Sequence, residues 1–453
     1  MTTQGAPGLL DAIFATPRMG EIFSDRARLQ GMLDFEAALA RALAQSGRIP
    51  APAAEVIASR CRAELLDLGE IAAGAALAGN PAIPLVKALT ALVAREDAGA
   101  ARFVHLGATS QDAMDTGLVL QLRAGLGELE ADLERLSAAL ARLADAHRRT
   151  PMAGRTWLQQ AQPITFGLKA AGWLSAVERH RTRLAELRGR VLSLQLGGAV
   201  GTLAGLGAPA MAVAERVAGE LGLSLPDLPW HAERDRVAEV AAALGLLVGT
   251  LGKIARDVSL LAQGEVGEAS EPAAPGRGGS SAMPQKRNPV GSAVALAASV
   301  QVPALVSVML SAMVQEHERG LGSWQAEWET LPRIFLLAAG ALRQTVEVLS
   351  GLAVDEGRMR RNLESPPGGA FAGIAALALA AHLGKPDADA LVERCHRRAL
   401  EQGRHLREVL AEEPAVKGHL APDELARLFD PSSAVGAAEE LVDRVLAARA
   451  RGS

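Results

Sequence analysis

Apolar residues recur along this chain with the three-to-four-residue step of a helix almost everywhere. Over 115–149, Leu118, Leu122, Leu126, Leu129, Leu133, Leu136, Leu140 and Leu143 stand largely in i, i+3, i+4, i+7 relations, which predicts one long amphipathic helix. Stretches of the same kind run over 164–196 and 237–263. Val- and Ile-rich alternating runs bounded by turn residues are missing, so the expected class is all-α. Helices longer than about 25 residues seldom bury a whole apolar face inside one compact chain. Their faces are therefore expected to meet in an elongated bundle shared between subunits, which makes the protein a homo-oligomer.

The segment 288–315 carries no charged residue and is long enough to span a bilayer. Gln301, Pro303, several serines and the polar stretch upstream fit a helix buried on all sides within a large bundle better, and no aromatic belt flanks it. No membrane association is expected. Breaks in the pattern divide the chain into three regions. Residues 1–104 hold shorter helices interrupted by Pro50, Pro52, Pro81 and Pro84; 105–350 hold the long helices; 351–453 return to short ones after "ESPPGGAF".

Composition narrows the class of function. The chain has 453 residues, is 49% hydrophobic and 22% charged, and has a net charge of −4, with aromatics at 3% and no tyrosine. Neither a basic footprint nor a stacking platform for nucleic acid is present. Cys61 and Cys395 are far apart and lack metal-ligand neighbours, so neither a disulfide framework nor a metal site is expected. "MTTQGAPGLLDAIF" has no basic region leading into an apolar core, so a signal peptide is not expected and the cytoplasm is.

Candidate chemistry gathers at 276–289, "GRGGSSAMPQKRNP". Glycines at 276, 278 and 279 allow unusual backbone angles, and Pro289 can open the helix that follows. Lys286 is one of few lysines in an arginine-rich chain, and a compact ammonium suits a neighbour that must stabilise a serine alkoxide or a developing carboxylate charge. The stretch does not match the phosphate-cradling GxxxxGK[ST] pattern. Composition alone leaves a solvated linker equally open.

Read as a string, "GSSAMPQKRNP" resembles the signature GSSxMPxKxNP of the fumarase/aspartase superfamily, with Ser, Ser, Met, Pro, Lys and Asn in register. "HLGATSQDAMDT" at 105–116 and "GRTWLQQAQPITFG" at 154–167 are similar to that superfamily's other motifs. "IFSDRARLQGMLDFEAALARA", "PWHAERDR", "QEHERGLGSWQAEW" and "LVDRVLAA" resemble the branch of 3-carboxy-cis,cis-muconate cycloisomerases, whose near relatives are the adenylosuccinate lyases. The resemblance implies a three-domain fold and a homotetramer with a twenty-helix core. Each active site would be built from three subunits and bind a small polycarboxylate without metal or organic cofactor. By position, Ser280 would exchange the proton on the carbon alpha to a carboxylate, with Lys286 and Asn288 in support. Thr109, Ser110, Thr156 and Gln159 match positions that hold carboxylates or orient the ligand, and His105 that of a ligand-facing donor, with a core histidine satisfied by backbone as the alternative.

The physical demands agree with those roles. A proton moved alpha to a carboxylate passes through an aci-carboxylate with two negative charges on one group, so donors must be fixed where that charge appears. At one place the sequence departs from the pattern. Lyases of the superfamily carry histidine after the motif threonine, where it acts on the leaving group, and here the residue is Trp157. A leaving amine or water needs proton management, whereas a carboxylate leaves as a stable anion. Lactonisation, in which one carboxylate of a tricarboxylate adds to its own conjugated double bond, fits the tryptophan. Arg319 is a candidate carboxylate clamp, with an ion-pair network involving Glu316 and Glu318 as the alternative. His231 stays open between ligand and core, Asp112 is expected to orient its loop by hydrogen bonds, and Trp324 and Trp328 are expected to pack.

Overall fold

Long helices dominate the computed structural model, which describes residues 8–452 apart from 280, 281, 284, 285, 366 and 367. The predicted periodic stretches form the helices Ser110–Ala146, Phe166–Val191 and Asp235–Leu261, and two more, Val290–Ser311 and Ser323–Ser350, complete the set. The chain forms two compact units: Met1–Leu133, His180–Leu251 and Val294–Arg343 in the first, Glu134–Arg179, Gly252–Ala293 and Gln344–Ser453 in the second. The dividing points fall inside the long helices.

In the first unit, Ser24 caps the helix Asp25–Gln45 by accepting the amide of Ala27, and the helix buries Met32, Leu33, Phe35, Leu39 and Leu43. It meets Ser110–Ala146 at two glycines. A side chain on Gly31 would come within 2.9 Å of the Gly117 carbonyl, so the backbones approach where no Cβ intervenes. In the second unit, Leu363, Phe371, Leu379, Leu391, Val392, Leu406, Val409, Leu410 and Phe429 form a separate core that also takes in Ala153.

Two findings differ from the helical pattern. First, Pro151–Thr156 (β1) and Gln159–Thr165 (β2) form an antiparallel hairpin with a bulge at Gly154, where a Cβ would lie 2.7 Å from the Gln162 carbonyl. Second, Val290–Ser311 is not buried on all sides within this chain. It buries Val294, Ala298, Val302 and Met309, yet Val300 is 77% and Leu310 51% exposed. One chain supplies a partner for only one side of a helix that is apolar all round. By length and composition this helix and Asp235–Leu261 could each cross a bilayer; the latter buries Val237, Leu244, Leu247, Leu251 and Val258.

Candidate active site

The first unit holds one group of the expected residues. The turn leading into Ser110–Ala146 runs through His105 at φ 59° and Gly107 at φ 77°, and a Cβ on Gly107 would strike Leu206 at 2.5 Å. Thr109 and Ser110 follow, half-buried, at the helix start. The turn is shaped by Asp112, which is wholly buried. Its Oδ2 accepts from the amides of Thr109 at 3.0 Å and Gly198 at 2.9 Å. Its Oδ1 accepts from the Gly197 amide at 2.9 Å and Gln195 Nε2 at 3.2 Å, and lies 2.8 Å from His231 Nε2. A carboxylate with so many donors is fixed in place. Asp112 orients its loop as the sequence predicts, and His231 resolves as a buried partner of that carboxylate.

Arg319 joins the same group. Its Nε donates to Gln111 Oε1 at 3.0 Å, and its Nη2 to Thr109 Oγ1 at 3.3 Å and the Ala199 carbonyl at 3.1 Å. The guanidinium thus holds the threonine rather than pairing with Glu316 or Glu318. Beneath it, Gln111 Nε2 donates to Asp115 at 3.0 Å, and Asp115 pairs with Arg234 at 2.7 and 3.1 Å. Arg234 also grips Glu327 at 2.5 and 3.0 Å, lies 5.0 Å from the centre of the Trp230 ring, and is fully buried. The two carboxylates hold its guanidinium above its ordinary pKa despite the burial. Trp324 packs edge-on against Trp328 and gives Asp115 a further hydrogen bond at 3.2 Å.

The second unit holds the other group. The hairpin turns on only two residues, Trp157 at φ 52° and Leu158 at φ 63°, closed by the Thr156–Gln159 pair. This turn requires positive φ at both positions and ordinarily takes Asn-Gly. Trp157 is 96% exposed, and Thr156 and Gln159 are exposed beside it. The hairpin is anchored by Arg155, whose guanidinium grips the buried carboxylate of Glu268 at 2.7 and 2.8 Å, while Asn362 donates to the same carboxylate at 2.8 Å.

The glycine-rich stretch 276–289 belongs to this unit. Glu271 caps the helix Val290–Ser311 by accepting from the amides of Gly291 at 3.0 Å and Ser292 at 2.7 Å. Arg277 donates to Glu347 at 2.9 Å and Gln344 at 3.1 Å. The Gly278 carbonyl receives the Asn288 amide at 2.8 Å, and Gly279 bridges to Arg287. A Cβ on Gly278, which sits at φ 66°, would lie 2.5 Å from the Asn288 carbonyl, so only glycine closes the base of the loop. Lys286 is exposed above that base. Ser280 lies outside the described residues.

Sequence reasoning missed the partners: Glu36, Gln195, Arg234, Glu268 and Glu327. A glutamate inside the apolar run "MLDFEAALA" is the one local signal among them. No group of three or more metal-capable side chains occurs among the described residues, and both cysteines are free and buried.

Comparison with known proteins identifies the frame. Residues 13–304 match a lyase family model, and 368–445 match the adenylosuccinate lyase C-terminus. The chain belongs to the fumarase/aspartase superfamily. Within it, the chain is 58% identical to 3-carboxy-cis,cis-muconate cycloisomerase of Pseudomonas aeruginosa, across 99% of this chain and 97% of the relative. It is 56% identical to the Pseudomonas putida enzyme of that name, across 92% and 99%. The solved 3-carboxy-cis,cis-muconate lactonizing enzyme from Pseudomonas putida superposes with a TM-score of 0.93 at 53% identity, covering 98% of this chain and 99% of that one. The all-α superfamily fold read from the sequence is therefore the fold of this chain.

Proposed function

We propose that this protein is a cycloisomerase that converts 3-carboxy-cis,cis-muconate to carboxymuconolactone, in the protocatechuate branch of aromatic-acid breakdown. The observation that carries the reading is full-length identity of 58% to a cycloisomerase of that name, joined to tryptophan at 157, where lyases of the superfamily have histidine. One carboxylate of the substrate adds across its conjugated double bond, the electrons pass to the neighbouring carboxylate as an aci-carboxylate, and a proton is delivered to the carbon alpha to it. Ser280 is the proposed proton carrier, and Lys286 and Asn288 lower the cost of its charged form. Thr109, Ser110, Thr156, Gln159, His105 and Arg319 hold the carboxylates. Arg319 does so by fixing Thr109 through its Nη2. No metal or organic cofactor enters the scheme.

The reading extends to assembly and place. The enzyme works in the cytoplasm as a homotetramer, each site drawing on three subunits, with regions 1–104, 105–350 and 351–453 as its domains. The exposed apolar side of Val290–Ser311 supports that assembly, because Val300 and Leu310 need a cover that one chain does not provide. Incubation with substrate in heavy water, followed by proton NMR, tests the chemistry: a lactone carrying one new deuterium is expected. Recovery of unchanged diene, with adenylosuccinate cleaved under the same conditions, would favour a lyase.

A further inference from the structure

The helix Asp25–Gln45 buries one carboxylate that the scheme above does not use. Glu36 is 1% exposed, flanked by Phe35 and Ala37 in the apolar face of the helix. Its Oε1 lies 2.5 Å from His105 Nδ1, and its Oε2 is buried without a partner among the described residues. His105 has a second unfavourable feature, its left-handed backbone at φ 59°. An apolar residue at 36 would pack this helix better, and a glycine at 105 would relieve the turn. Two costs meeting in one contact mark a site kept for function.

We propose that Glu36 is a positioning residue: its carboxylate accepts the Nδ1–H hydrogen bond of His105, fixes the orientation of the ring and favours the imidazolium, whose Nε2–H then donates to a substrate carboxylate. The proposal rests on the reading of His105 as a ligand-facing donor. Nε2 has no partner among the described residues, and the ring keeps 17% of its side-chain surface open. Burial works against a charged imidazole here, but Glu36 and then Asp112 outweigh it and raise the pKa above its ordinary value. Cys61, near Glu36, stays a neutral thiol because burial, Glu36 and Asp34 push its pKa up against the opposing effect of Arg41. Glu36 is the carboxylate in contact with the ring, and Asp112 acts on it through space. An imidazolium so held can meet a polyanionic substrate at neutral pH, and the neutral Nδ1–H tautomer that succeeds it at higher pH cannot donate from Nε2.

The test combines direct titration of the histidines, by NMR of enzyme labelled at the imidazole Cε1, with kcat/KM against pH for wild type, Glu36→Gln and His105→Asn. The His105 signal, assigned by its loss in His105→Asn, should titrate above the ordinary imidazole value in the wild type and fall in Glu36→Gln. The alkaline limb of kcat/KM should move down with it, costing roughly tenfold on that side per pKa unit, while activity on the acid side stays within about threefold. Unchanged kcat/KM in His105→Asn would remove the reading of His105 and the proposal with it. A loss in His105→Asn beside an unmoved limb and titration in Glu36→Gln would overturn the proposal alone. Should Glu36→Gln not fold, the wild-type titration decides: a His105 pKa at or below the ordinary value rejects the role of Glu36, and one above it supports it.

Discussion

In the proposed scheme Ser280 and Lys286 would carry the chemistry, and each makes a separate prediction. Ser280→Ala should keep fold and assembly while lowering turnover by at least about a hundredfold, the scale of a lost proton-transfer group. Near-normal turnover would remove Ser280 from the mechanism. Lys286→Arg should fail as well, because a planar guanidinium cannot place one donor where the ammonium stood. A different kind of residue stands below Thr109. Arg234 is fully buried between Asp115 and Glu327, so Glu327→Ala should destabilise the protein by roughly 3–5 kcal/mol in a denaturant titration. A loss under about 1 kcal/mol would mean water reaches the triad. The motif residues could be named from the sequence because their order is local. Their partners were not, because Asp112 with His231, or Arg155 with Glu268, are joined only when distant segments meet, and nothing near either residue encodes the other.

At the scale of elements, the leucine spacing predicted the long helices to within a few residues at their ends, since an amphipathic stripe is a property of neighbouring positions. The hairpin that displays Trp157 was not foreseen. Its strands read "PMAGRT" and "QQAQPIT", which lack the β-branched alternation by which a strand is recognised, and its turn holds Trp-Leu where Asn-Gly is the ordinary signal. Both turn residues bear the cost of a left-handed backbone, about 1–2 kcal/mol each. Replacing them together, Trp157→Asn with Leu158→Gly, should raise Tm and at the same time lower kcat/KM, because the exposed indole is lost. Unchanged Tm would show the turn to be unstrained, and unchanged kcat/KM would remove the indole from the site. Trp157→Phe should keep substantial lactonising activity with a little-changed pH profile, since no acid is needed at this position. A new titrating limb and faster turnover in Trp157→His would contradict that view.

Over the whole molecule, one chain buries only part of the apolar surface that its sequence carries. The charge-free segment 288–315 was expected to lie inside a large bundle, and within one chain the helix Val290–Ser311 leaves Val300 and Leu310 uncovered. Periodicity reports that a face is apolar; it does not report which chain covers it. If copies of this chain supply the cover, Val300→Asp should break the tetramer in light scattering and abolish activity with it, and mixing two inactive variants altered in different motifs should restore part of the activity. A monodisperse active monomer would defeat both expectations. The central claim, that the enzyme closes a tricarboxylate diene into a lactone, is tested most directly by the ultraviolet absorbance of 3-carboxy-cis,cis-muconate incubated with the purified protein. The account predicts that the diene absorbance is lost in proportion to enzyme added; absorbance that stays constant with folded, tetrameric protein would contradict it.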